Sequence, residues 1–472
     1  MRAHEAGALH AEGYGAPPWL ARPDDVNALV PALWPTGATR GPSGVLTVAG
    51  LDVAALAAEH GTPAYVLDEA DFRGRATAFR DAFDAAFADA CGGADVYYAA
   101  KAFTCTAVAR WLREDGLRYD GCTSGELAVA QRAGMPGGDL LFHGNNKSVP
   151  EIERAVAAGV GRIVIDSLTE VDRVADAARR AGVRQGVMVR VTVGVEAHTH
   201  SYIATAHEDQ KFGLSLTGGG AAAAVAAVLA RPELELRGLH SHIGSQIFDV
   251  AGFEVAARRL LGLHAAVAAE HGAVLPEIDL GGGFGVAYTA TQRPLPPREL
   301  AEGMAAVVTS ACRDLGVDVP RVSIEPGRAI AGPSTFTLYT VGTVKDVELD
   351  GGARRRYVAV DGGMSDNVRT ALYDADYSAT LASRSSGAEP VLARVVGKHC
   401  ESGDVVVKDE FLPDDVAPGD LLAVPGTGAY CRSMASQYNH VPRPPVVAVR
   451  DGRARVLVRR ETEDDVLALD VG

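Results

Sequence analysis

Six of the 45 basic residues in this 472-residue chain are lysines, and one of them, Lys101, closes the apolar, strand-like run "DVYYAAKAF". Most lysines are surface or ion-paired groups. One buried at the inner end of a strand has a lowered pKa, and its neutral amine can attack a carbonyl to form a Schiff base. Arginine cannot take that part, because its guanidinium is effectively never deprotonated. "GGGFG", residues 281–285, has three readings. It departs from the GxGxxG dinucleotide fingerprint and lacks the matching ribose-binding acid. It could be only a tight turn, or it could be a cradle whose backbone N–H groups approach a phosphate. A Schiff-base lysine with a phosphate cradle points to a cofactor carrying both an aldehyde and a phosphate, pyridoxal 5′-phosphate (PLP). Glu325 of "EPGR" would then keep the pyridine nitrogen protonated; its alternative is a strand-ending turn with an ion pair. His242 of "HSHIGSQ" is either a satisfied core histidine or a ring lying flat on the cofactor.

These residues need a scaffold that gathers them. From Ala94 onward, short β-branched or aromatic runs alternate with Ala-rich helical stretches. Candidate strands lie at 95–100, 117–121, 139–144, 162–166, 187–193, 234–242, 277–283 and 321–327, separated by patterns such as "TSGELAVAQRAG" and "SLTEVDRVADAARRAG". The alternation predicts a parallel sheet, and eight units predict a closed (β/α)₈ barrel rather than an open doubly wound sheet. Chemistry in such barrels sits at the C-terminal strand ends. Lys101, "TSGE", "HGNNK", Asp166-Ser167, "HSHIGSQ", "GGGFG" and "EPGR" all fall at those ends, and the loops after strands seven and eight form the usual phosphate site. After Gly332 the texture becomes short strands with Pro/Gly turns, which predicts a second, all-β domain of barrel or sandwich type. The expected organisation is an extended arm over 1–43, a strand segment over 44–68 joining the β domain, the barrel over 69–331 and the β domain over 332–472.

Composition narrows the function classes. A net charge of −15 argues against a nucleic-acid partner, since phosphate neutralisation needs a basic face. The six cysteines have no metal-like spacing and read as reduced thiols of a cytoplasmic protein. The leading residues do not read as a secretory leader, and "AAAAVAAVLA" is too short to span a bilayer.

The motif series "YYAAKAF", "DGCTSGEL", "HGNNK", "GLHSHIGSQ", "DLGGGFG", "EPGR", "DGGMSDNVRTALYDADY", "CESGD" and "PGTGAYCRSMASQYN" resembles that of the diaminopimelate decarboxylases, members of the alanine racemase-like (fold type III) PLP enzymes. The match runs in order from about Ala64 to Asn439. It implies decarboxylation of meso-2,6-diaminopimelate to L-lysine and CO₂, the last step of lysine biosynthesis. It also implies that Lys101 holds PLP, His242 stacks on its ring and Glu325 meets the pyridine nitrogen. Ser245, Gly282, Gly283, Gly327 and Tyr430 would serve the cofactor, mainly around its phosphate. Arg328, Arg369 and Tyr373, with Tyr430, would hold the carboxylate that is retained. Glu401 would take the distal ammonium, and Cys400 would return a proton to the carbon that loses CO₂. Family members place Cys400 and Glu401 in the partner's site, so the resemblance implies a homodimer with shared sites.

The residue types suit that substrate, because recognising its unreactive zwitterionic end takes cations for the carboxylate and an anion for the ammonium. Arg369 and Tyr373 stand four apart, on one face if the segment is a helical turn. Taken singly, Arg369 could be a surface ion pair, Tyr373 a core aromatic and Cys400 a small buried hydrophobe. An ornithine- or arginine-type decarboxylase would share the lysine, histidine and glycine-loop logic but leave the Arg328/Arg369/Tyr373 set nothing to bind. An amino-acid racemase of this fold usually carries an arginine at the pyridine nitrogen, where this chain has an acid.

Overall fold

The computed structural model describes residues 15–194, 211–348 and 354–472. The chain divides into two compact units. One comprises Arg73–Gly285 with Pro294–Ala329; the other takes the leading segment to Phe72, Val286–Arg293 and Ile330–Gly472.

The first unit is a closed barrel of eight parallel strands: Ala94–Ala99, Arg118–Gly121, Leu140–Phe142, Arg162–Ile165, Gln185–Thr192, Leu234–His240, Glu277–Asp279 and Arg321–Ile324. It closes where Val322 lies opposite Ala94. A two-residue strand, Leu214–Ser215, pairs in parallel with Val191 and Thr192 at the C-terminal end of the fifth strand. Each expected strand is present; all but the second, Arg118–Gly121, end before the expected C-terminal residue, where the polar motif begins. Tyr97, Leu141, Val164 and Met188 pack together inside, so the barrel is a filled core and not a pore.

Local rules fix the helices that follow the strands. Thr123 caps Ser124–Ala133 by accepting a hydrogen bond from the Glu126 N–H, and Gly134 ends that helix in the left-handed region. Ser148 and Glu151 form a reciprocal capping box at Val149–Ala157, a device worth about 1 kcal/mol. Phe79, Phe83 and Phe87, four residues apart on the helix Glu69–Cys91, form a ladder whose first two rings meet Phe284 at 5.4 and 6.1 Å. Phe253 also stacks on Phe284, with centroids 5.2 Å apart. The single aromatic in "GGGFG" therefore anchors the glycine loop.

The second unit is mostly β. Its sheet runs Val405–Pro413, Pro390–Val396, Arg354–Val360, Thr335–Glu348, Ala64–Asp68, Val446–Arg450 and Arg453–Val458, with Leu421–Pro425 also paired to the long strand. The early strand Ala64–Asp68 is central, antiparallel to Thr335–Leu338 and parallel to Val446–Val449. Within the segment expected as an extended arm, residues 1–14 lie outside the described residues. The rest is not simply surface chain, because Leu33 and Trp34 are buried with Phe336 and Leu338 in the core of this unit. Ala38–Arg40 opens a small three-stranded sheet with Leu46–Val48 and Leu51–Asp52. Val286–Arg293, expected within the barrel, belongs to the β unit; Ala287 joins its apolar core.

Candidate active site

Hydrophobic strands bring polar residues together where they end. At the C-terminal ends of the barrel strands lies a cavity of about 600 Å³ whose lining includes Lys101, His143, Arg190, His242, Ser245 and Glu325. Lys101 sits in the turn just beyond the first strand. The expectation of a buried lysine does not hold. Its side chain is exposed, because the chain turns out of the barrel wall after Ala99 and opens the amine to the cavity.

The loops after the sixth and seventh strands are zipped together by their backbones. The Ile247 N–H donates to Gly283 O and the Gly285 N–H to Ile247 O, both at 2.9 Å. Glycine is required here by close approach. A Cβ on Gly282 would lie 2.2 Å from the Glu325 carbonyl oxygen, and one on Gly283, at φ +106°, would lie 2.4 Å from Gly244 O. The Gly282 N–H donates to His242 Nδ1 at 3.2 Å, which fixes that nitrogen as an acceptor. Burial, reinforced by the nearby Lys101 charge, holds His242 well below its ordinary pKa, so the ring is a neutral imidazole. Arg328 Nη2 donates to Ser245 Oγ at 2.8 Å, and Gly327 packs against Ala99, where a Cβ would come within 2.8 Å of its carbonyl oxygen.

Glu325 is buried beside two histidines. His143 Nε2 lies 2.7 Å and His240 Nε2 3.3 Å from the same oxygen, Oε1. Burial alone would raise the Glu325 pKa, but the two histidines outweigh it and hold the carboxyl well below its usual range. Burial pushes His143 down to about 3, so it meets the carboxylate as a neutral Nε2–H donor. Asp279 is pushed up to about 7 by burial and by the Glu325 charge; it accepts from Ser323 Oγ at 2.6 Å and the Gly281 N–H at 2.7 Å.

Sequence reasoning gave no role to His143, His240, Asp120, Glu126 or Arg190. The signals were present: Arg190 is the only charge in its strand, Asp120 stands one residue before the end of its strand, and His143 and His240 stand at strand ends. "TSGE" also divides its labour, with Thr123 capping a helix while Glu126 reaches the cavity and accepts from the Cys122 N–H at 2.7 Å. Lys147 of "HGNNK" is not at the cavity. It is buried, donating to Gly144 O, Val164 O and Glu170 Oε1 at 2.6, 2.7 and 3.0 Å.

In the β unit, the short helix Arg369–Tyr373 confirms a helical turn, but its two ends differ. Arg369 is 6% exposed and Tyr373 61%. Arg369 donates to Tyr377 Oη at 2.5 Å and lies 4.8 Å from the centre of the Tyr288 ring, so the guanidinium is clamped and not in a surface ion pair. Cys400 is exposed, its N–H donating to Asn439 Oδ1 at 3.2 Å. Neighbouring Glu401 is partly exposed, as is Tyr430, which holds a left-handed φ of +64°.

Residues 72–332 match the pyridoxal binding domain of the pyridoxal-dependent decarboxylases. Over its whole length the chain is 54% identical to a diaminopimelate decarboxylase of Mycobacterium leprae, with both chains fully covered. The chain belongs to the diaminopimelate decarboxylases. The member of this family from Bacillus subtilis is 44% identical, over 91% of this chain and 95% of that one. The M. jannaschii diaminopimelate decarboxylase solved in complex with L-lysine superposes with a TM-score of 0.87, at 28% identity, covering 93% of this chain and 99% of that one. PLP is accordingly the cofactor. The cavity fits it: an amine and an ionised carboxylate line one space, beside a glycine loop whose backbone no Cβ shields. Among the described residues, no helix is long and apolar enough to cross a membrane.

Proposed function

We propose that the protein removes CO₂ from meso-2,6-diaminopimelate to give L-lysine, with Lys101, His242 and Glu325 as the core of the PLP site. The observation that carries this reading is the convergence of those three side chains on one cavity in a chain of this family. When bound, PLP supplies the electron sink for the bond pair released as CO₂ leaves. Lys101 holds the cofactor through its amine. His242 presents a neutral face, since its Nδ1 is already engaged by the Gly282 N–H. Glu325, kept ionised, meets the pyridine nitrogen, and Ser245 with the Gly282-Gly283 backbone, Gly327 and Tyr430 receives the phosphate end.

Arg328, Arg369, Tyr373 and Tyr430 take the retained carboxylate, and Glu401 the distal ammonium. A guanidinium already fixed by a hydroxyl and an aromatic face loses little freedom on binding an anion. Cys400 delivers the proton to the carbon that lost CO₂. Its exposure in a single chain suits a residue that completes the site of a partner in a homodimer. The six cysteines form no disulfides, which supports a reducing, cytoplasmic location.

The test mixes two dead variants. Lys101→Ala should lack both turnover and the visible absorbance of bound PLP, while Cys400→Ala should keep the absorbance and lose most turnover. Unfolded and refolded together, they should regain activity through mixed dimers. No recovery would remove the shared site, and an unchanged absorbance in Lys101→Ala would remove Lys101 from its role.

A further inference from the structure

Two histidines that the proposed chemistry does not use sit directly behind Glu325. His143 leaves the third barrel strand and His240 ends the sixth; both side chains are almost wholly buried, the latter at 1% exposure. Their rings meet edge to face, with centroids 4.6 Å apart, and both Nε2 atoms approach Oε1 of Glu325. Packing does not explain this pair. Neither nitrogen of His240 has an aligned hydrogen-bond partner, an unfavourable state for a buried polar ring whose only use is to fill space. The backbone is fixed as well, through the Glu325 N–H to Gly281 O at 2.8 Å. The carboxylate is therefore held at one oxygen and at its own main chain, which leaves Oε2 for the cavity that Glu325 lines.

We propose that His143 and His240 are positioning residues that reserve Oε2 of Glu325 for the pyridine nitrogen of PLP and thereby set the proton occupancy of that nitrogen. The inference rests on the assignment of Glu325 to the pyridine nitrogen made above. The charged and titratable groups around this carboxylate, from neighbouring strand ends, are Lys101, Asp120, Arg190, His242 and Asp279. With two other acids buried close by, a Glu325 stripped of both imidazoles would take up a proton itself. It would then donate a hydrogen bond to the pyridine nitrogen instead of sustaining a proton there, and the ring would lose strength as an electron sink.

The experiment uses holoenzyme reconstituted with PLP carrying ¹⁵N in the ring, read by ¹⁵N NMR across pH, so that the nitrogen's proton is observed without turnover. In the wild type it should remain protonated throughout. In Glu325→Gln and in the double variant His143→Leu/His240→Leu, the resonance should move to the position of an unprotonated pyridine. His143→Gln, which restores an N–H donor, should stay with the wild type. If the double variant fails to load cofactor, the single Leu variants are read the same way, and each should deprotonate at lower pH than the wild type. Loaded His variants whose resonance matches the wild type while Glu325→Gln moves would overturn this inference and leave the Glu325 assignment standing. A Glu325→Gln resonance that does not move would overturn the assignment itself, and the inference with it.

Discussion

Arg369 is held by two tyrosines. Tyr377 Oη accepts a hydrogen bond from Arg369 Nη1 at 2.5 Å, and the Tyr288 ring faces the guanidinium at 4.8 Å. Tyr377→Phe removes the acceptor and keeps the ring, so the packing against Tyr288, with centroids 5.1 Å apart, survives. A hydrogen bond to a charged group contributes about 1.5–3 kcal/mol. The face of Tyr288 still holds the cation, which argues for the lower end. About 1.5 kcal/mol corresponds to roughly a tenfold loss in kcat/KM. Because Arg369 is assigned to the carboxylate that does not react, the loss should fall mainly on KM. Steady-state release of CO₂ from meso-diaminopimelate, with cofactor content checked by absorbance, measures it. A folded, PLP-loaded Tyr377→Phe enzyme within twofold of wild-type kcat/KM would refute the clamp. A loss carried wholly by kcat would place Arg369 at the reacting end instead.

Two further outcomes concern stability. Lys147→Met leaves Glu170 buried without its cation, and breaking a buried pair from one side costs about 3–5 kcal/mol; the Asp166 N–H still donates to Glu170 at 2.7 Å, so about 3 kcal/mol is expected in urea unfolding. Glu410 is pushed up to about 7, because burial outweighs the N–H groups of Ala379 and Phe411 that it accepts from. Its folded pKa is raised, so its contribution to stability is fully present below the ordinary carboxylate value and is lost as pH rises through about 7. Glu410→Gln should remove that part of the pH dependence, read as a smaller difference between urea midpoints at acid and alkaline pH.

The barrel was legible because each strand is a short β-branched or aromatic run ending in a polar motif, and the strand ends drew attention to Lys101, His242, Ser245, Glu325 and Arg328 at once. Contacts between distant segments were not legible. Nothing in "HGNNK" or "HSHIGSQ" says that His143 and His240 converge on a carboxylate from a third strand end, since each alone reads as an ordinary histidine. Tyr288 lies in a segment that the strand–helix rhythm assigns to the barrel, so its packing against Arg369 could not be anticipated. Lys101 was misjudged for a related reason: an apolar run predicts burial of the strand, but the chain turns before the lysine. Leu33 and Trp34 were hidden by the Pro, Gly and Ala around them, a composition that reads as surface chain.

Substrate choice decides whether the proposed reaction is the one this protein performs. Purified protein supplied with PLP is given meso-diaminopimelate, the LL isomer, ornithine and arginine in parallel, and CO₂ and L-lysine are measured. The meso isomer should give stoichiometric CO₂ and L-lysine, and the others none. Robust turnover of ornithine or arginine, or equal turnover of the LL isomer, would contradict this.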